Sequence, residues 1–350
     1  MQTSINHFIQ TLTEKHPLQS FWNNLLTQIQ AEALQVALKE QLFDHLTEFT
    51  HSQQLATHLH LHIDNLAYFL QLLSSMRLLD VRRNQQESCL EYQNTEVATQ
   101  YFYSKSPEYC GDAFRFRHQT IANVISQLGN YLSQDFEHQK MAQTNIEKAW
   151  AKAAQLQIAQ EQNAVSVAIA NTLAKLLVEF RTAKQFLDIG GGAGLISRHF
   201  ASLFPQLQCS LLEFPAVIQA IQHEEIPSDL TQRLHFISGD IQTINFDQSY
   251  DIIWCSSVLH FVDDYQFVLK KIYDALSIGG VLICAHSEID LLHFNPQIQS
   301  YYFNMRVQGN FVPNQGEIAS ALAELGCTNI QTIDAVQFPV APLNVIIARK

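Results

Sequence analysis

The sequence predicts an α/β protein: a doubly wound, mainly parallel sheet closed by a C-terminal antiparallel hairpin, behind a mainly α, winged-helix-like N-terminal region. Three observations predict it. From Lys184 onward, short apolar runs alternate with helical stretches, the pattern of strands joined by crossover helices. The first run, Phe186-Leu187-Asp188-Ile189, breaks into Gly190, Gly191, Gly192 and Gly194 and then into the helical pattern Leu195–Phe200. The last two runs are joined by a short Pro-containing connection. It is too short for a right-handed crossover, so these two strands pair antiparallel.

Composition narrows the function classes. The 350 residues suffice for two domains and a large core, and 47% hydrophobic with 15% charged residues is a globular composition. A formal net charge of −12 argues against a nucleic-acid partner, which needs a basic face. The six cysteines are scattered without a CxxC pair and read as reduced thiols, so a cytoplasmic location is expected. The opening residues MQTSINHFIQ lack the basic and apolar regions of a secretory signal. No apolar run approaches the roughly 18 residues of a membrane span.

The elements follow in order. Residues 1–20 are polar and read as a loose helix or arm. From Phe21 to about Phe49 the pattern is helical, with Ala33, Val36 and Ala37 at three- and four-residue spacing beside Leu34, Leu38 and Leu42. Ser52 is a candidate N-cap of a short helix, and Asp64 of a second that runs to Leu79. Leu79-Asp80-Val81 and Cys89–Tyr92 then supply two strands, giving a helix-turn-helix followed by a two-stranded wing. His51, His58, His60 and His62 invite a metal reading. No tetrahedral set is completed around them, so a solvated turn is preferred and no metal is expected. Residues 95–180 are helical and rich in aromatics, and Ala151–Val178 reads as one long helix. The expected division is 1–100, winged-helix-like; 101–180, a helical connector; and 181–350, the α/β domain.

In the α/β half, strands are expected to end at Ile189, Glu213, Ser238, Cys255 and Ala285, and the closing hairpin near 330–335 and 343–348. A helix over Asp264–Leu276 is expected to stop at Gly279-Gly280. Strand, glycine turn and helix open a nucleotide-binding unit. Asp188 sits at the end of the first strand, where a ligand amine or bound water meets it. Glu213, at the end of the next strand, is placed to accept hydrogen bonds from both hydroxyls of a ribose.

Phe186–Gly194 resembles the first motif of class I S-adenosylmethionine-dependent methyltransferases, and Leu211–Pro215 resembles their second. Gly239-Asp240 resembles the third, and Ala275–Gly280 before a strand resembles their later glycine-pair motif. Ala33–Phe43, Gln54–Leu79 and Ser106–Tyr109 look like the winged-helix dimerisation domain of the small-molecule O-methyltransferases of the caffeic-acid and acetylserotonin type. The resemblance implies a Rossmann-like seven-stranded methyltransferase sheet. It implies S-adenosyl-L-methionine held by Asp188, Gly190, Gly192, Gly194, Glu213, Gly239, Asp240, Ile241 and Ser256. It also implies a homodimer built through the N-terminal domain, a small-molecule acceptor, and neither nucleic acid nor membrane as partner.

His260, in Ser257–Asp264, lies just past a parallel strand, where ligands of open α/β sheets bind. It matches the base of the family's leucine-histidine-aspartate-tryptophan motif. Imidazole is neutral enough at pH 7 to take a hydroxyl proton. The match departs from the family in two ways. Phe261-Val262 stands where Asp-Trp is usual. Of the two glutamates that orient the histidine in the plant enzymes, the first position holds His286, with Glu288 two residues on, and the second, near Phe311, has no carboxylate. A carbon methyltransferase of an α-keto or enol substrate, with iron held by His286 and His293, is the alternative within the class. A metabolite-sensing regulator is the alternative outside it. Tyr103, Phe114, Tyr302, Met305 and Phe311 are expected to line the acceptor pocket. Arg115, Arg117 and Arg306 are the cations interleaved with these aromatics, open equally to an acceptor carboxylate or to an ordinary surface salt bridge.

Overall fold

A computed structural model describes residues 13–84, 89–137, 143–222, 227–292 and 295–350. Residues 1–12, part of the expected N-terminal arm, and His293 lie outside the described residues. The chain divides into two compact units, one reaching Gly111 and the other Asp112–Lys350. The helical stretch after Gly111 therefore belongs with the sheet domain.

The first unit opens with α1, Gln19–Lys39, which ends where Gln41 turns to φ 52°. The expected helix to Phe49 is thus broken, and a 3-10 turn over Leu42–His45 follows. Next come β1 (Thr50–His51), α2 (Ser52–Leu59), α3 (Ile63–Ser75), β2 (Leu79–Asn84), β3 (Cys89–Asn94) and α4 (Glu96–Tyr101). The wing has three antiparallel strands, in the order β1-β3-β2, because the two-residue β1 pairs with β3. The caps differ from expectation. His51 Nδ1 accepts the Gln53 N–H at 3.2 Å and His62 Nδ1 accepts the Asn65 N–H at 3.3 Å. Ser52 and Asp64 fall inside the first turns instead. Two of the four histidines that invited a metal reading are thereby helix caps. Leu42, Phe43, Leu70, Leu73 and Tyr92 form the core of this unit.

In the second unit α5 spans Gly111–Tyr131 and α6 spans Gln143–Ala153. The helix continues through two π turns, Ala154–Ile158 and Gln162–Ser166, into α7, Val167–Leu176. The sheet strands are β4 (Gln185–Ile189), β5 (Gln208–Glu213), β6 (Leu234–Ser238), β7 (Tyr250–Ser256), β8 (Leu276–His286), β9 (Thr328–Val336) and β10 (Leu343–Arg349). Their spatial order is β6-β5-β4-β7-β8-β10-β9, with β10 antiparallel to both neighbours. The connecting helices are α8 (Leu195–Leu203), α9 (Pro215–Ile221), α10 (Tyr265–Ala275), α11 (Pro296–Val307) and α12 (Glu317–Glu324). Asp264 caps α10, accepting the Phe267 N–H at 3.0 Å. The Gly279-Gly280 pair does not stop this helix. It lies inside β8, which already begins at Leu276.

Neighbouring residues on a strand face opposite sides, so β4 buries Phe186 in one layer and Leu187 in the other. Phe180, Phe186, Phe200 and Trp254 fill the first layer; Leu187, Ile253, Leu269 and Ile346 fill the second. Burial on both faces is why these strands read as unbroken apolar runs. The chain winds from β4 out to β5 and β6, then returns to β7 on the other side of β4. The two crossovers diverge there, which opens a crevice at the carboxyl ends of β4 and β7.

Candidate active site

The glycine turn and the turn after β7 meet at that crevice. A Cβ on Gly190 would come within 2.5 Å of Val258 Cγ2, so the two turns are in close approach. The Gly194 N–H closes the glycine turn on the Gly191 carbonyl at 2.9 Å. Gly192 has φ +58°, a left-handed conformation open to glycine, and its N–H donates to Glu213 Oε1 at 3.0 Å. The second Glu213 oxygen accepts the Phe214 N–H at 2.9 Å. Each Glu213 oxygen keeps a further lone pair, which fits the pair of hydroxyls on a ribose. Asp188 is buried and accepts the Ser197 hydroxyl at 2.9 Å. Burial pushes Asp188 up to about 7, with the Glu213 charge adding to it. Burial likewise pushes Glu213 up to about 7, against the two N–H groups that favour its ionised form.

Two residues of this site escaped the sequence reading. Gln162, in the second π turn, donates from Nε2 to the Gly191 carbonyl at 2.9 Å and accepts the Leu195 N–H at 3.1 Å. Its amide clamps both ends of the glycine turn, and nothing in the local sequence distinguishes it from other glutamines on that helix. π turns recur at functional sites because the extra residue re-aims a helix face. Gln242 accepts the Asp263 N–H at 2.9 Å, and its own N–H donates to Asp240 at 2.9 Å. It thereby ties the loop after β6 to the loop that follows His260. Gly239 donates to the Glu213 carbonyl at 2.9 Å, and Ile241 is buried in the core beneath. Ser256 ends β7.

His260 sits on a 3-10 turn, Leu259–Phe261, and is 2% exposed. Its Nδ1 lies 2.8 Å from the Phe311 carbonyl oxygen, and the Phe311 N–H donates back to the His260 carbonyl at 3.1 Å. A carbonyl only accepts, so Nδ1 carries the proton and Nε2 keeps its lone pair. Nε2 is buried with no hydrogen-bond partner among the described residues. Burial pushes His260 down to about 4, with the Phe311 carbonyl opposing in part. The ring is therefore a neutral, oriented acceptor, and the orienting group is main chain where the plant enzymes use carboxylates.

Glu288 accepts from Asn344 Nδ2 at 2.8 Å and its carbonyl accepts the Tyr302 hydroxyl at 2.9 Å. Tyr302 and Met305 pack with Ile289 and Val312 as a small buried core. Phe311 stacks its ring on Tyr265, centroids 4.7 Å apart. Phe114 is exposed on α5, and Tyr103 belongs to the first unit. Arg117 is taken up by Glu161, with hydrogen bonds of 2.7 and 2.8 Å to its two oxygens. Arg115 pairs with Asp112 across 3.7 Å at the surface, and Arg306 is exposed. None of the three is held ready for an acceptor carboxylate. Cys255, Cys284 and His286 cluster in the interior, but His286 Nε2 already accepts two N–H groups. The Cys255 sulfur and burial hold Cys284 well above its ordinary range, against the ionisation that a metal requires. A shallow groove lined by Gln185, Gln208, Ser210 and His235 lies at the opposite, amino ends of the strands.

Comparison with known proteins adds the following. Residues 136–316, more than half of the chain, match the O-methyltransferase domain family, and residues 22–104 match the O-methyltransferase dimerisation domain. An uncharacterized protein of Methanocaldococcus jannaschii is 25% identical over 262 residues, 71% of this chain and 64% of that one. Chavicol O-methyltransferase of Ocimum basilicum is 28% identical over 133 residues, 34% of this chain and 35% of the enzyme. The matched stretch thus spans less than two thirds of these relatives. The crystal structure of human N-acetylserotonin methyltransferase in complex with S-adenosylmethionine superposes with a TM-score of 0.79. The alignment covers 97% of this chain and 99% of that one at 20% identity, a likeness of fold. Among the described residues no helix is long and apolar enough to cross a membrane.

Proposed function

The chain belongs to the O-methyltransferase domain family, and on that premise we propose that it methylates a hydroxyl of a small-molecule acceptor from S-adenosyl-L-methionine, with His260 as general base. When bound, S-adenosyl-L-methionine supplies the methyl group on a sulfonium, already activated for displacement. Glu213 holds the ribose hydroxyls, Asp188 and the glycine turn hold the amino-acid end, and Asp240 meets the adenine edge. The observation that carries the reading is His260 Nε2: buried, unpartnered among the described residues, and fixed in tautomer by the Phe311 carbonyl. His260 takes the hydroxyl proton at Nε2, and the same carbonyl stabilises the imidazolium through Nδ1–H. A base held near 4 suits an acidic hydroxyl, on an aromatic or enolic acceptor, better than an aliphatic alcohol. The test is transfer of a labelled methyl group to a panel of phenols and enols. Methylation of carbon alone would replace this reading.

Cofactor binding should depend on pH with a definite sign. Glu213 must be ionised to accept two hydroxyls, and in the free chain burial holds its carboxyl near 7. Affinity for S-adenosylhomocysteine should therefore rise as pH climbs toward 7, with proton release on binding, and level off above it. Calorimetry in buffers of different ionisation enthalpy reads both quantities. Affinity that does not change between pH 5.5 and 8 would remove Glu213 from the ribose site.

The assembly is proposed as a homodimer. It rests on the dimerisation-domain match and on α1, which leaves Phe21, Trp22, Leu25, Leu26 and Ile29 exposed on the first unit. Light scattering should give twice the 39.8 kDa of one chain, and a mass of one chain would overturn this.

A further inference from the structure

β8 ends at His286, a fully buried ring. Its Nε2 accepts two main-chain hydrogen bonds, from the Val258 N–H at 3.0 Å and the Leu259 N–H at 2.9 Å. A ring nitrogen that accepts carries no proton, so the His286 proton is on Nδ1, 3.3 Å from Cys284 Sγ. The two donors open the 3-10 turn that bears His260. The first N–H groups of any helical turn lack partners within it, and a Ser, Thr, Asp or Asn of the same chain segment usually caps them. Here Ser257 stands in the left-handed region at φ 58°, and the turn has no side-chain cap of its own. The cap comes from the neighbouring strand. The turn is thus gripped at its start by His286 and at His260 by both main-chain groups of Phe311.

We propose that His286 is a positioning residue for methyl transfer: its neutral imidazole holds the turn that carries His260 so that Nε2 meets the acceptor hydroxyl. The proposal rests on the assignment of His260 as base. A carboxylate in this place would also accept two N–H groups. It would, however, put a charge in a fully buried site, with the two histidine ring centroids only 5.1 Å apart. Neutral imidazole makes the same two bonds without that charge, and leaves His260 uncharged and ready to accept a proton.

The experiment compares His286→Leu and His286→Gln, each in the native chain and in a His260→Ala background, by steady-state kinetics and S-adenosylhomocysteine calorimetry. His286→Leu should lower kcat about 10²-fold, the scale of a displacement of about 1 Å at a reacting group. Its affinity for S-adenosylhomocysteine should stay within about threefold of the parent. His286→Gln, whose amide oxygen can accept both N–H groups, should recover kcat to within about tenfold. In the His260→Ala background, His286→Leu should cost nothing further, because the residue acts through the base. A kcat within threefold for His286→Leu overturns the proposal. So does a parallel loss of kcat and ligand binding in both variants, or a loss that adds to that of His260→Ala. Failure of the base assignment shows separately, as full kcat in His260→Ala alone.

Discussion

His260→Ala should lower kcat by at least the ~10²-fold of a lost general base, with S-adenosylhomocysteine affinity within about twofold of the parent. The two halves of this result come from different parts of the site. The ribose and amino-acid ends are assigned to Glu213, Asp188 and the glycine turn, none of which touches the imidazole through any hydrogen bond described above. The proton, by contrast, is assigned to His260 Nε2, whose lone pair is kept free because Nδ1–H is spent on the Phe311 carbonyl. The pH profile carries a second check. With the His260 pKa pushed down to about 4, protonation removes the base only in acid. The acid limb of kcat/KM from this group should then lie well below the ordinary imidazole range near 6.5, where a solvated histidine would put it. Full turnover in His260→Ala, with the protein folded and the ligand bound, would take His260 out of the chemistry.

What could be read from the sequence was local or periodic. The glycine turn, Glu213 at the end of the next strand and the closing hairpin each declare themselves within a few residues. The mainly parallel sheet follows from the alternation of strands and helices, and it puts His260 just past the carboxyl end of a strand. What could not be read is contact between distant segments made by groups without a chemical signature. The sequence offers the Phe311 ring, yet its carbonyl and N–H do the orienting, and every residue has those. Gln162 is one of many glutamines until the fold brings it against Gly191. The sequence leaves Arg117 open between a substrate carboxylate and a salt bridge, and only the fold sets Glu161 against it. The helix caps show the same limit at short range. Ser52 and Asp64 obey the usual preferences, but the residues before α2 and α3, His51 and His62, each accept a hydrogen bond through Nδ1. By sequence alone Gly279-Gly280 reads as a helix stop, the commoner use of such a pair. Here Gly279 donates to the Lys350 carbonyl from within β8, beside the last residue of the chain.

Gly192→Val should weaken S-adenosylhomocysteine binding by about 10²-fold or more, roughly 2.7 kcal/mol. Two costs combine. A left-handed residue with a side chain costs roughly 1–2 kcal/mol, and a β-branched one more, at the φ of +58° that Gly192 holds. In addition, a Cβ there would lie 2.7 Å from Ile158 Cγ2, and overpacking of that kind typically costs about 1–3 kcal/mol. The chain can escape both only by rotating φ, which swings the Gly192 N–H away from Glu213 Oε1 and unseats the carboxylate assigned to the ribose. The strand and helix on either side should survive, since β4 ends at Ile189 and α8 begins at Leu195, both outside the turn. Circular dichroism should therefore stay unchanged while calorimetry reports the loss. The double variant Gly192→Ala, Ile158→Ala separates the two costs. It removes the collision and leaves the backbone strain, so affinity should return only part of the way, to about tenfold below the parent. Binding within threefold of the parent in Gly192→Val would mean that this turn does not hold the methyl donor.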